Sequence, residues 1–217
     1  FEGGAFSVSS GQGGTVGGKI KLVAGTGDAN TGGMVSILSG VGTATTSGQI
    51  QIRTPDAGTK GVSGALVFSS GIASCGASGS ISIGTGTAAN GEGGDISVEI
   101  GTSSSVDGGV VQLNSGSTSN GAGGGMSLQS GSSTGNGIGG SISLTSGLST
   151  NNVGGLVGIV AGESSGTGGD GKGGKVYLKS GRGTQTSSGD INIEVANAGN
   201  SGVSGSMTLK TGISTAG

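Results

Sequence analysis

Gly139 to Val153 reads GGSISLTSGLSTNNV, and the rest of the chain is built from variants of this stretch. Two glycines open it. Ile142, Leu144 and Ser146 then alternate with Ser143 and Thr145. Gly147 follows, then a short polar run, and at Gly154 the pattern restarts. Alternation with period two is the pattern of a strand with one face covered. Glycine and asparagine suit the corners between such strands, because both tolerate left-handed backbone conformations.

Working outward, the unit is Gly or Ser, Gly, then x-Φ-x-Φ-x-small-Gly (Φ apolar) and about six further residues. Fourteen copies start at Gly3, Gly17, Gly32, Ser47, Ser63, Ser78, Gly93, Gly108, Gly123, Gly139, Gly154, Gly173, Ser188 and Ser204, and most are 15 or 16 residues long. One is longer, with a loop at 163–172 that carries GTGGDGK from Gly166 to Lys172. Self-similarity at a fixed short period marks a repeat architecture.

The first apolar position runs Phe6, Ile20, Val35, Ile50 and onward to Met207, and the second runs Val8, Leu22, Ile37, Ile52 and onward to Leu209. No polar residue interrupts either column, whereas the residue between them varies freely (Lys21, Gln51, Tyr177, Asn192). Two residues beyond the apolar pair stands a column of mostly small residues, such as Ser10, Ala24, Ser39, Ser130, Ser146 and Ser180. The following run supplies a second, including Gly27, Gly42, Ala73, Ala88, Ser103, Ser133, Ser149 and Ala198. Asn90-Gly91, Asn120-Gly121 and Asn136-Gly137 are expected to be corners with positive φ.

Burying two aliphatic side chains gives roughly 3–6 kcal/mol. Ordering fifteen residues costs at least ~15 kcal/mol. A single unit therefore cannot stand alone, and the pattern predicts stacking. The expected fold is all-β: a β-solenoid (parallel β-helix) of about fourteen 15–16-residue coils, with one domain over 1–217 that forms part of a longer array. A sheet of antiparallel hairpins would need a 30-residue alternation, which the sequence lacks. Charges fit the stacked register: Lys175 and Asp190 share one outward column, and Lys179, Glu194 and Lys210 alternate in sign along another.

Composition narrows the function. The 217 residues include 57 Gly and one Pro, with neither a collagen-type Gly-X-Y period nor the proline content collagen needs. The formal charge is −2, with no basic stripe, so nucleic acid is not an expected partner. No apolar run approaches the ~20 residues that span a membrane, so membrane insertion is not expected. The chain begins with Phe1 without a leader-like segment, as expected of a processed chain or a fragment. Cys75 is the one cysteine, which leaves no disulfide framework and no metal cluster.

The same residues argue against catalysis. Without histidine, the usual Ser-His-Asp or Cys-His pair cannot be assembled. Asp95 and Glu99 share a face, but as a solvated pair and not as facing acids in a cleft. Six Asp at unrelated positions do not make calcium-binding nonapeptide turns. GTGGDGK lacks the GK[ST] ending of a phosphate loop. No enzyme activity, cofactor or metal is expected.

GGSISLTSGLST and GGGMSLQSGSST resemble the Gly/Ser-rich tandem repeats of large secreted or cell-surface proteins of microalgae and other microbes. The resemblance covers nearly the whole chain. It implies an extracellular or cell-surface structural role in a fibre, adhesin or coat, and brings no catalytic residues. The expected function is a structural module of an extracellular filament or cell-surface fibre that assembles by coil stacking. Its partner would be itself, end to end or laterally, with glycans or other fibre proteins as further partners. The alternative follows from a resemblance to flat-faced β-solenoid antifreeze proteins. A row of short hydroxyl and methyl groups after the corner glycine, including Thr87, Thr102, Ser104, Ser117, Ser119, Ser132, Thr134 and Thr150, would then be an ice-binding face.

Overall fold

A computed structural model describes residues 2–104, 107–166 and 171–213. Among these residues there is no helix and no strand, so the β-solenoid expected from the alternation is not formed, and neither is a hairpin sheet. The chain is an irregular coil with regularly spaced bends. The physical reason lies in the composition around each apolar pair. Glycine loses more freedom on ordering than any other residue and is poorly suited to strand interiors. With 57 glycines in 217 residues, two aliphatic side chains per unit do not offset the cost of fixing the rest into a ladder.

Order survives at a shorter range. In eight units the second glycine of the opening pair donates its amide to the glycine carbonyl that follows the preceding apolar pair. The pairs are Gly18–Gly11, Gly33–Gly25, Gly48–Gly40, Gly124–Gly116, Gly140–Gly131, Gly155–Gly147, Gly174–Gly162 and Gly189–Gly181, at 2.8–3.0 Å. Each bond closes the base of a loop. The bends fall inside these loops, at 14–16, 28–30, 43–45, 119–121, 134–137, 150–152 and 184–186. Between loops run arms without bends, and each arm carries one apolar pair.

The arms have a fixed length. Gly18 to Gly25, Gly33 to Gly40, Gly124 to Gly131, Gly140 to Gly147, Gly155 to Gly162 and Gly174 to Gly181 each advance seven positions. Variation in repeat length is confined to the loops. The long unit obeys the same rule: its extra residues lie between Gly162 and Gly174, and the closing bond is still 2.8 Å. Of the Gly166–Lys172 insertion, residues 167–170 lie outside the described residues.

The chain divides into two compact units, Phe1–Gly109 and Val110–Gly217. In the first, three closed loops are followed by four in which the equivalent bond is absent, at Gly64, Gly79, Gly94 and Gly109. In the second, five closed loops are followed by one open one, at Gly205.

No described residue is buried, so the core expected from the two apolar columns is missing. The columns nevertheless keep a graded exposure. The first, from Ile20 to Met207, stays between 48% and 57% exposed, whereas apolar residues beside it, such as Val67 and Leu156, reach 76% and 89%. Phe6 departs from this range at 93%. The half-buried residues among those described belong to the two small columns: Ala24, Thr54, Ser130, Ala161 and Ser180 in one, and Gly42, Ser149 and Gly183 in the other.

Two local expectations are also corrected. Asn90-Gly91, Asn120-Gly121 and Asn136-Gly137 do lie in bends, but none has positive φ. Gly76, at +99°, is the one described residue in that region. These bends turn through ordinary backbone conformations, because bends without a strand ladder impose no tight left-handed corner. The second correction concerns Lys175, whose ammonium lies 5.9 Å from the centre of the Tyr177 ring in its own arm. A strand ladder would have set it against Asp190 in the next repeat.

Candidate functional site

The described residues enclose no cavity, and no group of three or more His, Cys, Asp and Glu among them is placed to hold a metal ion. No helix among them is long and apolar enough to cross a membrane. What the chain presents is a periodic surface: apolar arms alternating with hydroxyl-rich loops.

The arms are positioned by the loop closures. Where a loop is closed, its opening glycine and closing glycine lie against each other, and the arm leaves from a fixed point. Close approach explains why the donating partner is glycine and the residue ahead of the loop is small. A Cβ at Gly140 would lie 3.2 Å from the Gly131 nitrogen and 3.3 Å from Ser130 Cβ. At Gly155 the corresponding approaches are 3.1 Å to Gly147 and 3.2 Å to Ser146 Cβ. The first closure carries an extra bond, from the Ser10 hydroxyl to the Gly18 carbonyl at 3.0 Å. Within the loops, a Cβ at Gly27 would meet the Thr31 carbonyl oxygen at 2.6 Å, and Gly42 is pressed in the same way by the Thr46 carbonyl. At these glycines of the second small column, backbone passes over the position a Cβ would take.

All eight residues of the expected hydroxyl row are exposed. They are spread over five loops: Thr102/Ser104, Ser117/Ser119 and Ser132/Thr134 step in pairs from the loop stem into the bend, and Thr87 and Thr150 stand singly. Thr87, Thr102, Ser117 and Ser132 precede a bend, and Ser104, Ser119, Thr134 and Thr150 are in one. The strand ladder that would align them into a flat face is absent. Two loop hydroxyls accept locally: the Asn152 amide donates to Ser149 Oγ at 3.0 Å, and the Asn120 amide to Thr118 Oγ1 at 3.4 Å. Side-chain bonds that hold bends in this way are ordinary turn chemistry.

The acidic residues are equally local. Ser97 donates to Glu99 Oε1 at 3.0 Å, which fixes that carboxylate along its own arm. Cys75 is exposed, one residue before Gly76. Reading by columns missed the closing hydrogen bond altogether, although its signal was present: a glycine recurs as the second residue of every repeat, eight or so positions after a small residue. Comparison with known protein families, with curated proteins and with solved structures finds no match for this chain.

Proposed function

We propose that this chain is a non-catalytic structural segment of an extracellular fibre or cell-surface coat, and that its apolar arms are covered by further copies of itself. One observation carries the reading. Two uninterrupted apolar columns repeat along the chain, and the first remains about half exposed in every unit from Ile20 to Met207. A chain that maintains these columns without a core to place them in has a use for them at a surface.

The arrangement also supports a fibre over a one-site binding module. The arms are of one length and recur throughout, so every copy offers the same feature many times. Many weak contacts between identical repeats give strong total association when they can form together. Covering one Ile or Leu fully is worth ~1.5–3 kcal/mol, and half of that is still unrealised at each first-column position. Assembly here rests on the arms packing side by side and not on stacking of coils.

Electron microscopy of the purified chain tests the proposal. Elongated or sheet-like assemblies are the expected result. Single particles at every concentration would contradict it.

A further inference from the structure

A pattern in the loop closures points to a conformational device within one copy, whether or not copies associate. Loops close where the residue ahead of them is Ser or Ala: Ser39 before Gly40, Ser130 before Gly131, Ala161 before Gly162. They stay open where it is β-branched: Thr54, Thr85, Ile100 and Val195. The contact geometry gives the cause. In closed loops the closing glycine rests on the Cβ of that residue, as at Ser130 or Ala161. In open ones a Cβ on that glycine would also meet a γ carbon at Thr54 and Thr85, would meet branch carbons alone at Ile100 and Val195, and at Ser70 would meet only the Cβ. A Cβ on Gly109 would come within 2.8 Å of Ile100 Cγ2, one on Gly64 within 3.3 Å of Thr54 Cγ2, and one on Gly205 within 3.2 Å of Val195 Cγ1. The stiff γ branch occupies the space through which the backbone closes.

All eight closed loops accept at a glycine and two open ones have Pro55 and Ala196 at that position, but a glycine acceptor is not sufficient. Gly86 and Gly101 stand at the acceptor position of open loops, as Gly131 and Gly147 do in closed ones. One loop departs from the rule: Ser70 precedes an open loop, and that loop contains Gly76, the one residue with positive φ. Its path is bent differently inside the loop.

We infer that the residue ahead of each loop is a latch, Ser or Ala closed and β-branched open, and that the consecutive open loops between Thr54 and Gly94 form a compliant stretch after the latched repeats of the first unit. A chain built this way yields first at a set place. Under pulling or proteolysis the open run gives way while the latched repeats on its N-terminal side hold their loop bases.

The test is amide exchange on the full chain at low concentration, read residue by residue and corrected for intrinsic rates. A single backbone hydrogen bond near solvent is worth about threefold to tenfold in exchange. Gly124, Gly140 and Gly155 should exchange that much more slowly than Gly64, Gly94 and Gly109. Ile100→Ser should slow Gly109, and Ser130→Ile should speed Gly140. Ser130→Ala should leave Gly140 slow, which separates the steric latch from any hydroxyl bond. Trypsin should cut Lys60–Gly61, in an open loop, before Arg182–Gly183, in a closed one. Equal exchange at all six glycines, or a Gly109 that stays fast in the Ile100→Ser chain, would overturn the latch. Cleavage at Arg182–Gly183 first would overturn the compliant stretch.

Discussion

The Gly140 amide donates to the Gly131 carbonyl at 2.9 Å, and this one bond closes a loop that holds the bend at 134–137. Seven residues further on, Gly147 opens the next loop and accepts from Gly155 in the same way, again at 2.9 Å. The repeat is thus a unit of backbone geometry as well as of sequence.

Glycine at the closing position is required by space. Gly140→Ala would place a Cβ at 3.2–3.4 Å from Gly131 and Ser130, tighter than most contacts. We expect it to open that loop, with loss of about 0.5–1.5 kcal/mol of local stability. Gly147→Ala, with nothing within 4 Å, should leave its loop closed. Amide exchange at Gly140 and Gly155 in the two variants reads the difference directly.

Without a core, the dilute chain should show no cooperative unfolding. A conventional domain of this length would absorb roughly 150 kcal/mol on melting. Scanning calorimetry of the unassociated chain should show no such peak. For the same reason Leu144→Ala, at a position 67% exposed, should not cost the several kcal/mol expected of a core leucine.

How much of this was legible in the sequence can be argued from Ile142 and Leu144. Their columns, the repeat boundaries and the extra residues of the long unit were all readable, because they are properties of spacing. The secondary structure was not. Alternation states which residues share a side of an arm, but not whether backbone amides such as those of Ser143 and Thr145 find partners in a neighbouring repeat. That depends on whether two apolar side chains outweigh the ordering of a glycine-rich unit, and here they do not. Ser143 and Thr145 instead place their hydroxyl oxygens 3.5 Å apart. The Thr87 to Thr150 row was readable as exposed hydroxyls. Its flatness was an inference from the solenoid, and lapses with it.

Ice binding supplies a further check. A face that matches ice needs its hydroxyls held in a rigid, regular plane. Thr134 and Thr150 each lie in the bend of a separate loop. We therefore expect the purified chain to show no thermal hysteresis, and the double variant T134A/T150A to behave as the parent does.

If the arms are covered by other copies, sedimentation velocity over a concentration series will register it. The parent chain should move from a slow species to large, broad assemblies as concentration rises. A variant with Ile81, Ile96, Val111, Met126 and Ile142 all replaced by Ser should remain slow throughout. A parent chain that sediments as a monomer at every concentration, or a serine variant that assembles equally well, would contradict such cover.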